Sequence, residues 1–281
     1  MRPPITVGID GFPESPPAAH WAAREALLRG LPLRLVHAWI LLGPTDSDVP
    51  PEGDIPRAND RNYWARRLLS DTVGELREAH PGLNVTAELV PRETVPALLT
   101  AGRDAEMLVL GSRGRGTLGG FLLGSTGRQI LAHGAGPMVL VHADDGGRSA
   151  EVTVGPGPRR TSGGAPGFAS DEVLGFAFDA AARRGGSLRA VFAGGRRADP
   201  AARAALDAAL RPWQEKYPGV PVAEDITSER PGPGVVRAAA GSGLLVLGRG
   251  GAGHGGAARL GAVLHAAVHH APCPVAVVPC G

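Results

Sequence analysis

The sequence contains a single lysine, Lys216, among its 281 residues. A Walker-type nucleotide-binding loop needs a lysine after its glycines to contact the β- and γ-phosphates. No glycine motif precedes Lys216, so a conventional P-loop NTPase is excluded. Aromatic residues make up only 4% of the chain, against 43% hydrophobic residues in total. The core must therefore be built from alanine, valine and leucine.

The sequence also lacks long apolar runs and clusters of one charge. No apolar run reaches the roughly 18 residues that a membrane span needs. The formal net charge is +2, and arginine and acidic residues are mixed along the chain. No basic stripe with interleaved aromatic residues occurs, and such a stripe is typical of nucleic-acid binding. We therefore expect neither a membrane nor a nucleic-acid partner.

Cysteine is nearly absent as well, since Cys273 and Cys280 are the only two and both lie in the last apolar segment. This pattern favours small buried side chains in a reducing compartment, with a redox or metal-binding pair as the weaker alternative. The first predicted strand begins at Ile5, which leaves no room for a signal peptide before it. These features predict a cytoplasmic protein.

Short apolar runs alternate with helical patterns through the first half of the chain. The predicted strands cover 5–10, 33–39, 84–90, 107–110 and 137–142, and the predicted helices cover 17–29, 62–78, 93–101 and 128–133. Ser15, followed by two prolines, is the expected N-cap of the first helix, and Gly30 is expected to end it. The alternation predicts an α/β fold with a parallel sheet.

The second half of the chain repeats the first at a constant offset. Four positions recur 137 residues later: Gly111, Gly114, Gly124 and Pro137 match Gly248, Gly251, Gly261 and Pro274. A constant offset at separate sites indicates a tandem duplication of a domain of about 140 residues. We predict domains at 1–144 and 150–281, joined by a polar linker near 144–150.

One glycine-rich stretch follows the predicted strand that ends at Leu110. Gly111-x-x-Gly114 precedes nine residues and then Gly124-Ser125-Thr126, which opens a helical segment. Glycines allow the backbone to approach a ligand closely, and unpaired amides in the first turn of a helix attract phosphate. The residues predict a phosphate-binding loop, with ordinary turn glycines and helix-cap hydroxyls as the alternative.

This spacing resembles the nucleotide-binding signature of the universal stress protein family. The segments 7–11, 35–39 and 137–141 are similar to the same family, and the resemblance extends through both halves. It implies two tandem domains, each an open five-stranded parallel sheet that is Rossmann-like and similar to adenine nucleotide alpha hydrolases. It also implies ATP as a ligand, a homodimer through the fifth strands, and an intramolecular pseudo-dimer of the two halves.

The resemblance implies ligand contacts at the carboxyl ends of the first three strands and along the glycine-rich stretch. These positions are Gly8, Asp10, Ala38, Val90, Gly111, Arg113, Gly114, Gly124, Ser125 and Thr126. Asp10 would lie near the ribose, the phosphates or a metal such as Mg²⁺, and a turn cap is its alternative role. Arg113 is either a phosphate contact or a solvated loop residue. His37 and His142 end apolar strands and are expected to be structural.

The second half departs from this pattern at two positions. The counterpart of Asp10 is Gly157, and the counterpart of Ser125 is Ala262. Each loss removes a hydrogen bond to a charged group, which contributes on the order of 1.5–3 kcal/mol. We therefore predict that the first domain binds nucleotide, whereas the second is weak or empty and serves as a structural partner.

The sequence thus predicts a universal stress protein that binds ATP, or a related adenine nucleotide, as a regulatory ligand in stress response or dormancy. No catalytic residue is assigned, because no general base or arginine finger is evident. Two alternatives stay open. One is an interaction scaffold without nucleotide, and the other is a slow ATP hydrolase that uses Asp10 and a metal.

Overall fold

A computed structural model describes residues 2–39, 61–115, 121–142, 149–156, 168–193, 200–250 and 260–280. In the first half, strands and helices alternate as predicted. They are β1 (Ile5–Gly8), α1 (Ser15–Arg29), β2 (Leu33–Ala38), α2 (Arg61–Ala79), β3 (Val85–Val90), α3 (Thr94–Arg103), β4 (Met107–Arg115), β5 (Phe121–Leu122), α4 (Ser125–His133) and β6 (Met138–His142).

The second half repeats this order without a counterpart of β5 among its described residues. Its elements are β7 (Val152–Val154), α5 (Asp171–Arg184), β8 (Leu188–Ala193), α6 (Pro200–Lys216), β9 (Val222–Thr227), α7 (Pro231–Ala238), β10 (Leu244–Arg249), α8 (Ala262–His270) and β11 (Val275–Pro279). Gly30 ends α1 and Gly185 ends α5, both in the left-handed conformation at φ 61°. Glycine reaches this conformation without the Cβ penalty of other residues. The predicted end of the first helix is thus confirmed and recurs in the second half.

Ten strands form one continuous sheet in the order β3-β2-β1-β4-β6-β11-β10-β7-β8-β9. Each half contributes five strands that pair in parallel, as the sequence predicted. The two halves meet where β6 pairs antiparallel with β11. The fold is therefore a tandem pair of α/β units whose sheets are joined edge to edge.

The junction lies between the fifth strand of each half. Val139 pairs with Ala276, and Leu140 pairs with Val275. Within the same chain β6 also pairs with β4, and β11 also pairs with β10, so both edges of each strand are occupied. The expected pairing of final strands therefore occurs within one chain. Neither strand offers an open edge for pairing with a second copy of the chain.

Two apolar clusters cover the two faces of this joined sheet, and each contains residues of both halves. As predicted, alanine, valine and leucine dominate both clusters. Phe168 and Phe178 are the largest fully buried side chains, and both belong to the second half. None of the helices that the structure describes is long and apolar enough to cross a membrane.

The glycine-rich stretch differs from the prediction, which made it a loop. Gly111, Arg113 and Gly114 belong to β4, which continues to Arg115. This extension pairs antiparallel with the two-residue strand β5, with Arg113 opposite Leu122. Glycine accepts an extended conformation when a neighbouring strand pairs with it. The stretch therefore begins as one arm of a hairpin, and α4 starts at Ser125 rather than at Arg128.

A cluster of buried charges joins the two halves between α1 and α5. Glu25 accepts hydrogen bonds from Arg29 Nε at 2.6 Å and from Arg184 Nη2 at 2.5 Å, and its side chain is only 2% exposed. Arg29 Nη1 in turn donates to Asp179 Oδ2 at 2.9 Å. Glu25 and Arg29 of α1 are therefore both paired across the junction, and Asp179 of α5 also pairs with Arg183 of its own helix.

Removing the Glu25 carboxylate takes one ion-pair partner from both Arg29 and Arg184, whose side chains are largely buried. We expect Glu25→Gln to lower the free energy of unfolding by about 3 kcal/mol, the usual cost of breaking a buried ion pair. Urea denaturation measures this change. The control is Asp71→Asn, which breaks the exposed pair between Arg67 and Asp71 and should leave the midpoint unchanged. Equal midpoints for Glu25→Gln and wild type would show that the cluster contributes nothing.

A second buried polar contact lies beside the end of β4. Ser112 Oγ and His142 Nδ1 form a short hydrogen bond, and each residue is only 2% exposed. Burial lowers the pKa of His142 to about 4 from the ordinary 6.5. The imidazole is therefore neutral at pH 7 and holds the end of β4 to the end of β6. This structural role is the one the sequence predicted.

Because the folded-state pKa of His142 is lowered, the unfolded chain binds a proton more readily between pH 6.5 and 4. The neutral histidine therefore contributes its full stability above pH 6.5, and that contribution is lost as the pH falls towards 4. We expect a loss of about 3 kcal/mol over this range. The difference in unfolding free energy between wild type and His142→Gln, measured from pH 7 to pH 4, isolates it. A difference that does not change with pH would contradict the assignment.

Candidate functional site

A cavity of about 290 Å³ opens at the carboxyl ends of the first-half strands. Residues of β1, β2 and β4 line one side of it, and the N-terminus of α4 lines the other. Open α/β sheets bind ligands at this edge, because the loops that follow parallel strands diverge there. The volume is close to the lower end of the range for small-molecule sites.

Seven of the ten predicted positions line this cavity. They are Gly8, Asp10, Ala38, Gly111, Gly124, Ser125 and Thr126. Val90 is not among the lining residues, but it pairs with Ala38 in register at the end of β3, and its carbonyl accepts a hydrogen bond from the amide of Trp39. Arg113 and Gly114 follow Gly111 along β4. The structure thus brings four separate segments of the sequence to one place.

Asp10 lies in the turn between β1 and α1, with its side chain exposed at the cavity. Its Oδ1 accepts hydrogen bonds from the Ser15 hydroxyl at 2.6 Å and from the Phe12 amide at 3.1 Å. The Ser15 hydroxyl oxygen also accepts a bond from the Asp10 amide at 3.1 Å. The carboxylate therefore shapes the turn, which was the alternative role in the sequence, while facing the cavity.

These contacts correct the predicted N-cap. Glu14 occupies the N-cap position of α1, and Ser15 is the first helical residue. The Ser15 hydroxyl is engaged with Asp10, so it does not cap the amides of its own helix. The proline at the second helical position still fits, because its fixed φ suits the first turn and it has no amide hydrogen to satisfy.

Gly111 has a steric role that its spacing alone does not reveal. A Cβ atom at this position would lie 2.7 Å from the carbonyl oxygen of Glu14 and 2.9 Å from its carbonyl carbon. Backbone atoms cannot yield as a flexible side chain can. Gly111 therefore allows the turn between β1 and α1 to pack against the end of β4, and that turn carries Asp10.

Gly8 meets a milder restriction. A Cβ there would lie 2.8 Å from Leu110 Cδ2 and 3.2 Å from Leu98 Cδ2. Its counterpart Gly155 is crowded by Leu247 and Val235 in the same manner. Both leucine–glycine contacts recur at corresponding places in the two halves. The glycine at each of these two positions therefore allows the third helix of each half to pack on its sheet.

The N-terminus of α4 presents backbone amides to the cavity. Its N-cap is Gly124 at φ −58° and ψ 165°, and among the described residues no side chain caps it. The first turn contains no acidic residue. Amides of the first turn have no partner within a helix, and the helix dipole adds partial positive charge there. Ser125 and Thr126 add two hydroxyls, so this end of the cavity suits an anion.

Ten further residues line the cavity and were not predicted. They are Ile9, Phe12, Glu14, Ser15, Val36, Thr94, Leu98, Leu110, Leu123 and Gly127. Thr94 and Leu98 come from α3. The apolar face of this helix was recognisable in the sequence, but its position beside the glycine-rich stretch was not. Phe12 is 52% exposed, an unusual position for a large apolar ring. The charged residues of the lining, Asp10 and Glu14, are both acidic.

The two histidines at strand ends do not face the cavity as reactive groups. His37 Nδ1 lies 2.6 Å from the Ile9 carbonyl oxygen and thereby ties β2 to the end of β1. His142 is engaged with Ser112 beneath the site. Across the described residues, no group of three or more His, Cys, Asp or Glu side chains is arranged to hold a metal ion.

In the second half, the corresponding helix terminus is α8. Gly261 is its N-cap at φ −63° and ψ 161°, which matches the conformation of Gly124. Ala262 then stands where Ser125 stands in α4 and brings no hydroxyl. The counterparts of Asp10 and Gly114, Gly157 and Gly251, lie outside the described residues. The conformation of the helix N-terminus is therefore repeated in the second half, but the hydroxyl is not.

Comparisons with known proteins agree with this architecture. The model of the universal stress protein family matches residues 1–142 and 169–279. The universal stress protein Rv2005c of Mycobacterium tuberculosis strain H37Rv is 33% identical over 273 residues, which cover 89% of this chain and 88% of that protein.

A solved structure shows the same fold. The crystal structure of a universal stress protein from Archaeoglobus fulgidus DSM 4304 matches 99% of this chain and 98% of its own, with a TM-score of 0.72 and 19% identity. A universal stress protein from Archaeoglobus fulgidus has been solved in complex with dAMP; it is 23% identical, covers 49% of this chain and 95% of its own, and has a TM-score of 0.37.

The family model covers most of the chain in two segments, and a relative above 30% identity covers nearly all of it. These matches agree with the structure, in which the second half repeats the strands, the glycine and the helix N-terminus of the first. The chain therefore belongs to the universal stress protein family.

Proposed function

We propose that the first-half cavity binds ATP, or a related adenine nucleotide, as a regulatory ligand in stress response or dormancy. One observation carries the proposal. The uncapped N-terminus of α4 faces the same cavity as Asp10 and Ala38, which come from the ends of β1 and β2. A helix terminus suited to an anion and small apolar side chains thus line the same cavity, which supports the proposal.

Each part of the nucleotide has a place in this proposal. The phosphates would meet the amides of Gly124, Ser125 and Thr126 together with the hydroxyls of Ser125 and Thr126. The ribose would lie near Asp10, whose carboxylate is a hydrogen-bond acceptor. The base would lie against Val36 and Ala38, where the small side chain of β2 leaves room for a ring. Val90, Arg113 and Gly114 stay in the proposal as flanking positions.

A divalent cation fits the acidic side of the cavity. Asp10 and Glu14 would repel a polyphosphate, and Mg²⁺ bound to that polyphosphate offsets the repulsion. Proteins commonly hold Mg²⁺ through one or two carboxylates together with substrate phosphates. We therefore propose MgATP as the bound form, with Asp10 facing the ion directly or through water.

The second half takes no nucleotide, or takes it weakly, in this proposal. Ala262 removes a hydroxyl from the helix terminus, as the sequence predicted. We keep 1–144 and 150–281 as the two domains, the second acting as the structural partner of the first. A cytoplasmic location is part of the proposal, and it is supported by two buried cysteines that are not joined in a disulfide.

Two other functions are tested by the same measurements. An interaction scaffold without nucleotide would show no ATP binding. A slow hydrolase would release phosphate above the buffer rate, although His37 and His142, the two histidines at strand ends near the site, are both engaged in structural contacts. A homodimer of whole chains would have to use a surface other than β6 and β11.

Calorimetric titration with MgATP is expected to give one site per chain. Ser125→Ala should raise the dissociation constant about tenfold or more, because a hydrogen bond to a charged group is lost. Ala262→Ser is the matched control, since it adds the missing hydroxyl to the second half alone. It should change neither the affinity nor the stoichiometry.

Three results would count against this account. An absence of heat and of thermal stabilisation at millimolar MgATP would overturn nucleotide binding. Two sites per chain would overturn the ranking of the halves. Unchanged affinity in Ser125→Ala would remove the Ser125 hydroxyl from the phosphate site.

Gly111→Ala tests the steric frame of the cavity. The new Cβ would lie 2.7 Å from a backbone oxygen, so the turn that carries Asp10 must shift. We expect loss of ATP binding and a lower melting temperature. The matched control is Gly261→Ala, where no atom of the described residues lies within 4 Å of the added Cβ and φ is negative. Full ATP affinity in Gly111→Ala would show that the close approach is dispensable.

A further inference from the structure

One side chain of the second half reaches into the first half and contacts the helix that ends at the cavity. Arg249 closes β10, and its Nη1 donates to the carbonyl oxygen of Ala132 at 3.0 Å. Its Nη2 donates to the carbonyl oxygen of Gly134. Both acceptors belong to the C-terminal end of α4, so a single guanidinium caps this helix from the other half of the chain.

The topology explains how Arg249 comes to this place. Arg249 pairs with Pro279 at the end of β11, and its carbonyl accepts a hydrogen bond from the Cys280 amide at 2.9 Å. Because β11 runs antiparallel to β6, the end of β11 lies beside the start of β6. The start of β6 directly follows α4. The carboxyl edge of the second half therefore adjoins the C-terminal end of the first-half helix.

The environment of Arg249 makes this contact strong. The residue is only 9% exposed, and burial lowers the pKa of its guanidinium. A buried cation is stable only where acceptors replace its water. The last carbonyls of a helix have no partner within the helix and carry partial negative charge. Arg249 and the end of α4 therefore satisfy each other.

The corresponding position in the first half does not make this contact. Ser112 stands 137 residues before Arg249 in the repeat. It bonds to His142 of its own half. The two halves have thus diverged at this position, and only the second half sends a charged side chain across the junction from here.

We propose that Arg249 is a positioning residue for the nucleotide site of the first half. α4 has nine residues, so about 13 Å separate the end that Arg249 holds from the end that faces the cavity. A helix this short moves as one unit, and anchoring its C-terminal end fixes the direction of its N-terminal amides. The inference rests on the proposed function, since it gives the second half a part in binding by the first.

Two readouts on the full chain test this role, and one of them needs no ligand. Arg249→Met removes both hydrogen bonds while keeping an apolar side chain of similar length. We expect amide hydrogen exchange to rise about tenfold in the segment 125–134 of the protein without nucleotide. We expect the dissociation constant for MgATP to rise roughly three- to thirty-fold. Arg249→Lys keeps the positive charge but lacks the planar, two-pronged geometry of a guanidinium. Its exchange rate and its dissociation constant should therefore lie between those of wild type and Arg249→Met.

The control is Arg237→Met, which removes an arginine of the second half that is 56% exposed and paired with Glu229 at 2.7 Å. It should leave both readouts at the wild-type values. A purely structural role of Arg249 would instead lower the melting temperature and raise exchange throughout both halves, with equal affinity for MgATP in the folded fraction. That result would overturn the inference.

The remaining outcomes are also decisive. Wild-type exchange at 125–134 in Arg249→Met would show that the guanidinium does not hold α4. If Arg249→Met does not fold, Arg249→Lys decides, and wild-type values in both readouts would contradict the inference. If wild-type protein binds no MgATP, the proposed function fails and the positioning role fails with it, whereas the exchange readout still reports whether Arg249 anchors α4.

Discussion

The antiparallel pairing of β6 with β11 is the interaction on which the rest of the structure depends. It joins two parallel five-stranded sheets into one, so both apolar clusters extend across the junction and bury residues of each half. It also removes the open edge that each fifth strand would otherwise present, and open edges invite association between chains. Because the pairing is antiparallel, the carboxyl edges of the two halves point in opposite directions. Each half therefore places the carboxyl edge of its sheet beside the amino-terminal edge of the other.

Polar contacts then define how the halves meet. The ion pairs between α1 and α5 lie at one part of the junction, and the Arg249 contact with α4 lies at another. Burying charges is costly, and apolar residues of similar volume often stabilise a core as well or better. The charges differ from apolar contacts in their directionality, since each carboxylate or carbonyl accepts only from a donor placed along a narrow range of directions. Their effect at this junction is to specify one arrangement of two halves that apolar packing alone would hold less selectively.

The sequence predicted the alternation of strands and helices, the duplication and seven of the seventeen residues that line the cavity. These succeeded because local periodicity and a constant repeat offset are visible along the chain, as in α2, where the predicted and observed ends differ by one residue. The hairpin of β4 with β5 was missed, because a two-residue strand has no periodicity to detect. The steric role of Gly111 was missed because it depends on Glu14, nearly a hundred residues earlier in the chain. The Glu25–Arg184 pair and the Arg249 contact were missed for the same reason, since each joins residues whose proximity only the tertiary fold creates.

The divergence of the two halves follows from where the residues of the candidate site lie in this fold. The buried strands of both halves contribute to one continuous core, so both must keep their apolar side chains for the sheet to form. The groups that would meet a nucleotide lie beyond the carboxyl ends of the strands, where they contribute little to that core. Replacing a hydroxyl with Ala262 therefore costs the fold almost nothing. At the end of β10, Arg249 stands at the position that corresponds to Ser112 of the first half, and the joined sheet places it against α4. The absence of a hydroxyl at Ala262 and the contact of Arg249 with the other half are thus compatible at the carboxyl edge of the second half.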